Sequence, residues 1–179
     1  MSFTDNATKS ITGGVNAGTV TEGHCLRVGH TTDFEDSPIA SKEVAITQAQ
    51  LVLLHSAPIT IVPAPGLSKV IQFLGAHLQL VYSGTGNNTE STANLGFKYD
   101  SGSGVQVNET VEATGFIDQT ADTYTQARPK LDAIVAATAA TNKALVLQNL
   151  GSGEYGVTGG TPTSQLLVKV VYAVHNASA

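Results

Sequence analysis

Three groups of residues in this chain have the types and spacing to do chemistry. The first is residues 151–156, GSGEYG, which fit the pattern G-x-G-x-x-G and follow the strand-like run 145–150. A dinucleotide site of that kind needs a helix to open at the last glycine, because the helix N-terminus holds the pyrophosphate. Here Gly156 is followed by VTGGTPTS, with Gly159, Gly160 and Pro162 where the helix should run. The acidic residue that would grip the ribose is also missing, since no Asp or Glu follows Glu154. The stretch is expected to be a hairpin-type loop between two strands.

The second group is metal-ligand types. His24, Cys25 and His30 lie close in sequence, but structural zinc sites take four ligands at recognisable spacing, and Cys25 is the sole cysteine. His55, His77 and His175 each fall in or beside a strand and are expected on exposed faces. The third is a carboxylate pair, Asp118 and Asp122. Nothing in the sequence fixes their separation or supplies a pocket to shift a pKa, so loop solubility accounts for them better than catalysis. The glycine-rich turns at Ser83 and Asp100 are explained by turn geometry. There is no G-x-S-x-G, no H-E-x-x-H and no P-loop lysine. The expectation is a protein that is not an enzyme, with no catalytic, cofactor-binding or metal residues and no cofactor.

The elements that would have to position any site are short strands. Residues 59–62 favour a strand that Pro63, Pro65 and Gly66 stop. Residues 68–82 alternate most clearly, with Leu74, Ala76, Leu78, Leu80 and Tyr82 on one face and Gly75, His77 and Gln79 on the other. Leu95, Phe97 and Tyr99 make another apolar row. In the last strand Leu166, Val168, Val170, Tyr172 and Val174 share a face, while Gln165, Lys169 and His175 point outward with Leu167 and Val171. Residues 43–56 read either as a strand or as a short helix capped by Thr47 and carrying Leu51 and Leu54. Residues 105–118 supply one or two short strands, residues 119–130 a loop, and residues 131–142 the best helix candidate.

Short strands at regular spacing with turn signals between them predict an all-β antiparallel sandwich over residues 43–179. Residues 1–42 have few large apolar side chains and no sustained period, so they read as an extended N-terminal arm.

Composition narrows the partners. Of the 179 residues 13% are charged, with net charge −5 and Lys+Arg totalling 9, scattered along the chain. A nucleic-acid binder needs a basic stripe to neutralise phosphates, and none is visible, so nucleic acid is not an expected partner. No apolar run approaches the roughly 20 residues of a membrane span, so no membrane partner is expected either. The start of the chain has no apolar signal region, which points to synthesis in the cytoplasm.

Taken in order, residues 50–82, then LGFKY, ATGFID, NKALVLQN and GGTPTSQLLVKVVYAV, resemble a family of small structural proteins of tailed bacteriophages. The resemblance covers about Gln50 to Val174 and rests on strand and turn residues, with the order of the motifs as its specific feature. It implies a virion protein made in the host cytoplasm: a capsid cement or decoration protein with a jelly-roll-like sandwich, bound to the outside of the phage head. Its implied partners are the major capsid protein and itself, as a homo-dimer or homo-trimer. The competing expectation is a tail, baseplate or head-fibre component acting as a receptor- or glycan-binding module.

Overall fold

The computed structural model describes residues 25–28, 34–37, 39–90, 93–131 and 135–177. In chain order the elements are β1 (Cys25–Val28), β2 (Phe34–Ser37), β3 (Ile39–Thr47), α1 (Gln48–Val52), β4 (Ile59–Val62), β5 (Lys69–Val81) and β6 (Asn87–Thr89). They continue with β7 (Leu95–Tyr99), β8 (Thr123–Ala127), α2 (Ala137–Ala140), β9 (Leu145–Asn149), β10 (Gly156–Thr158) and β11 (Gln165–Asn176). A four-stranded sheet has the order β3-β11-β5-β8 and a three-stranded sheet the order β4-β9-β7, with every pairing antiparallel. Two small ribbons, β1-β2 and β10-β6, complete the set. The fold is all-β.

Of the arm expected over residues 1–42, residues 1–24 lie outside the described residues. Residues 25–28 and 34–37 form the β1-β2 ribbon, and residues 39–42 already pair with β11 as part of β3.

The two sheets face each other across one core. Ile46, Leu78, Leu80, Leu166, Val168 and Val170 come from the larger sheet, and Ile61, Leu95, Phe97, Leu145 and Leu147 from the smaller. Phe73 and Phe97 meet between the layers with ring centroids 5.0 Å apart. The Tyr99 hydroxyl donates to the Ile71 carbonyl, a second tie across the core, and burial pushes its phenol pKa up. Each fully buried Leu or Phe contributes about 1.5–3 kcal/mol, so these rows fix which face of each strand turns inward.

Residues 43–56 satisfy both of their expected readings, one after the other. β3 ends at Thr47, whose side chain accepts from the Gln50 amide at 3.4 Å while the Gln50 side chain accepts from the Thr47 amide at 3.0 Å. This capping box starts α1, which buries Leu51, with Leu54 buried just after it.

The row of β5 departs from strict alternation. Val171 pairs with Gly75 and Tyr172 with Phe73, so Leu74 is an extra residue, a β-bulge. Gly75 takes φ +151°, which side chains with a Cβ rarely adopt. The core row is therefore Ile71 and Phe73 on one side of the bulge and Ala76, Leu78 and Leu80 on the other. Leu74, expected inside, turns to the outer face and is half-buried there, and Tyr82 lies just past the strand end with its hydroxyl donating to the Gly86 carbonyl at 3.0 Å.

Three other expectations change. Residues 123–127, read as loop, are β8: Thr123, Thr125 and Ala127 pair with the inward residues Leu80, Leu78 and Ala76, and strand partners override weak apolar patterning. Residues 105–111 form isolated bridges rather than a named strand. The Ala-rich helix shortens to the four residues of α2, whose N-cap Ala136 has no side chain able to accept from the first turn.

Residues 105–111 join the sheets along one side. Val107 N and Val111 N donate to the carbonyls of Phe97 and Leu95 on β7, at 2.9 and 3.0 Å. In the other direction Lys130 N donates to Val107 O at 3.0 Å and Glu109 N to Arg128 O at 2.9 Å, which ties in the chain leaving β8. Asn108, fully buried, closes the seam: its Oδ1 accepts from Phe97 N at 2.7 Å. β3 forms the opposite border of the larger sheet, and Lys42, paired with the buried Val170, lies on the inward face of that border strand.

Candidate functional site: the outer face of the four-stranded sheet

On the face of the larger sheet that turns away from the core, Glu43, Ala45, His77, Gln126 and Lys169 are exposed. Strand register sets its rungs: Ala45, Leu167, Gln79 and Tyr124 make one, and Glu43, Lys169, His77 and Gln126 the next. Tyr124 is 60% exposed, its ring meets His77 edge-on at 5.4 Å, and Gln79 Nε2 donates to its hydroxyl at 3.1 Å. Val171 and Ile39 are also exposed on this face.

Where β5 bulges and β8 leaves the sheet, the face sinks into a groove of ≈ 320 Å³ lined by Leu74, Gly75, His77, Arg128, Lys169 and Val171. The bulge supplies Leu74, and the absent side chain of Gly75 leaves the floor low. Arg128, Lys169 and His77 are exposed, and their side chains make no hydrogen bond or ion pair with any described residue.

A second depression of ≈ 350 Å³ lies over the three-stranded sheet, between the turn after α1 and the turn after β7. His55, Ser56, Asp100, Ser101 and Gln148 line it. Gln148 is 7% exposed and its Nε2 donates to the His55 carbonyl at 3.2 Å. Its Oε1, like His55 Nδ1, is buried with no partner among the described residues. Asp100 at the lip is ion-paired with Lys143 at 2.8 Å.

The residues singled out by type are spread apart. His24 and His30 lie outside the described residues, and Cys25 begins β1. His55 follows α1, His77 is on β5, and His175 on β11 shares a hydrogen bond with Gln72 at 2.7 Å. Among the described residues no group of three His, Cys, Asp or Glu side chains is placed to hold a metal ion. Asp118 and Asp122 are turn staples: Asp118 Oδ1 accepts from Gly115 N at 2.8 Å, and Asp122 Oδ1 from Tyr82 N at 2.9 Å.

The GSGEYG stretch leads from β9 into β10 rather than into a helix, and the two strands belong to different sheets, so it is a crossing loop and not a hairpin. Its one carboxylate fastens the loop to the body, with Glu154 accepting from His55 N at 3.0 Å and from Ser56 N at 2.9 Å. Burial pushes the Glu154 pKa up, but the hydrogen bonds from Ser56 and His55 and the nearby His55 ring outweigh it and hold the carboxyl below its ordinary value. Tyr155 is buried beside it, its hydroxyl donating to Ala93 O at 2.9 Å, and burial together with the Glu90 charge raises its pKa.

The class defined by these features is an all-β, antiparallel two-sheet body whose polar groups mostly serve turns and seams. No protein-family model matches the chain, and no curated protein matches it. Among solved structures, a chain of the cyanophage Pam1 capsid asymmetric unit aligns with 94% of this chain and 98% of its own length, at a TM-score of 0.41 and 16% identity.

Proposed function

We propose that this chain is a virion structural protein of a tailed bacteriophage: a capsid cement protein with a jelly-roll-like body, bound to the outside of the head and stabilising the shell of the major capsid protein. The observation that carries this reading is the place of the resemblance motifs in the fold. ITIV is β4, the long alternating run is β5, LGFKY is β7, NKALVLQN contains β9, and the last motif runs into β11. The shared features are thus the skeleton of the two-sheet body, and the function they support is adhesion rather than turnover. A shell offers many equivalent positions, and a body plus a linked N-terminal segment makes the second contact intramolecular at high effective concentration. A stable contact buries roughly 800 Å² per partner, which one sheet face and a segment supply together.

The test is addition of purified protein to phage heads that lack it. Saturable decoration of the outer surface, seen by cosedimentation and electron microscopy, is expected. Removing residues 1–38, which spares β3, should weaken attachment at least tenfold while the body melts as before. Heads that stay bare with the intact chain would overturn the proposal.

A second reading, a receptor- or glycan-binding module of a tail, baseplate or head fibre, is favoured by the polar depression over the three-stranded sheet. Sugar hydroxyls would donate to exposed acceptors such as the Asp100 carboxylate and the Ser101 hydroxyl. Retention on a glycan array, with antibody labelling of tails rather than heads, would select it.

A further inference from the structure

We infer that the groove beside the β5 bulge is the seat of an acidic, extended segment of the shell partner. The inference rests on the cement reading for the identity of that partner, while the groove's chemistry stands apart from it. The chain carries a net charge of −5, yet three side chains able to hold positive charge, Arg128, Lys169 and His77, line this one depression. None has an acceptor among the described residues. Glu43, next to Lys169 on the same rung, is not within ion-pair distance of it, and the Glu109 main chain, not its carboxylate, is bonded at Arg128.

A patch of unpaired cations on an anionic body attracts carboxylates and sets their register more than their ultimate affinity. Arg128 offers a planar fork that fits a carboxylate through two parallel hydrogen bonds. Apart from Gln126, the rest of the groove is lined by apolar residues. Leu74, pushed outward by the bulge, and the exposed edge of Val171 lie beside the cations, so the occupant pairs an acidic residue with a large apolar one. In an extended peptide residues two apart share a face, so an acidic residue can meet the cationic end while an apolar residue two positions along meets Leu74. The bulge is what builds this seat, because a regular strand would have kept Leu74 in the core.

The experiment uses the full chain and a labelled octapeptide whose odd positions alternate glutamate with leucine and whose even positions are serine, followed by fluorescence anisotropy and amide chemical shifts. Saturable binding with shifts centred on residues 74–77, 126–128 and 169–171 is expected. R128E and K169E should each weaken it at least fivefold and the pair at least thirtyfold. Both side chains are exposed and without a partner among the described residues, so unchanged melting of the variants checks that the fold is intact. A peptide with glutamine in place of glutamate binding equally well, or charge reversal without effect, would overturn the inference. The same variants are then added to heads. Heads decorated normally by R128E/K169E would remove the groove but leave the cement reading intact. Peptide capture by a chain that ignores heads would do the reverse.

Discussion

Asn108 shows how much one buried polar side chain holds in place. Its amide oxygen is the partner of Phe97 N, in the middle of the seam between the two sheets. Asn108→Ala leaves that amide buried and unpaired, which costs about 1–3 kcal/mol. A urea midpoint lowered with an unchanged slope is the expected reading. Glu154 makes a prediction of different form. Its folded pKa lies below the ordinary value of 4.5, so its stabilising effect is present above that pH and is lost as pH falls through the folded value. In Glu154→Gln the acid limb of the stability–pH curve should flatten, while stability above pH 6 falls because the charged acceptor of two main-chain amides is gone. A variant whose acid limb keeps the parent's slope would show that the latch does not titrate. At this scale the sequence was a poor guide: Asn108 and Glu154 stand in segments read as strand ends and turns, and only three-dimensional closure gives them partners.

Among elements, the bulge in β5 separates what patterning reveals from what it hides. Alternation placed Leu78 and Leu80 inward and His77, Lys169 and Val171 outward, and the structure agrees at each of these residues. It failed at Leu74, because a single inserted residue inverts the parity of everything on one side of it and leaves no mark in composition except a glycine. Arg128 was equally hidden, since β8 was read as loop and its neighbour in space is a strand some fifty residues earlier. The capped α1 was legible because Thr47 and Gln50 sit three residues apart, a purely local signal. Deleting Leu74 should restore regular pairing, empty the groove and move no core residue. Amide exchange in β5 and β11 is expected to slow where the ladder becomes continuous, with peptide binding lost. If the deletion instead unfolds the chain, the bulge is needed for closure of the sheet and not only for the groove.

At the level of the molecule, the two sheets divide the labour. One buries its outer side under turns and the polar depression, while the other leaves a broad face open beside the groove. The all-β class and the two apolar layers were legible from short alternating runs, because burying one face of each strand dominates the energetics. The seam of residues 105–111 was not, since apart from Asn108 Oδ1 the bonds that tie it to the sheets are made by main-chain atoms. Removal of residues 1–38 tests the division directly, with the body expected to keep its melting temperature and the attachment expected to fall.

The inward lysine on the border strand β3 also bears on how copies of this chain meet one another. A border strand's row of main-chain donors and acceptors invites an identical row from another molecule. Lys42 spoils that fit, since a second strand laid alongside would have to enclose its ammonium group away from water. Lys42→Val is therefore expected to make the border strand a better template for a second copy, read as a concentration-dependent rise in sedimenting species.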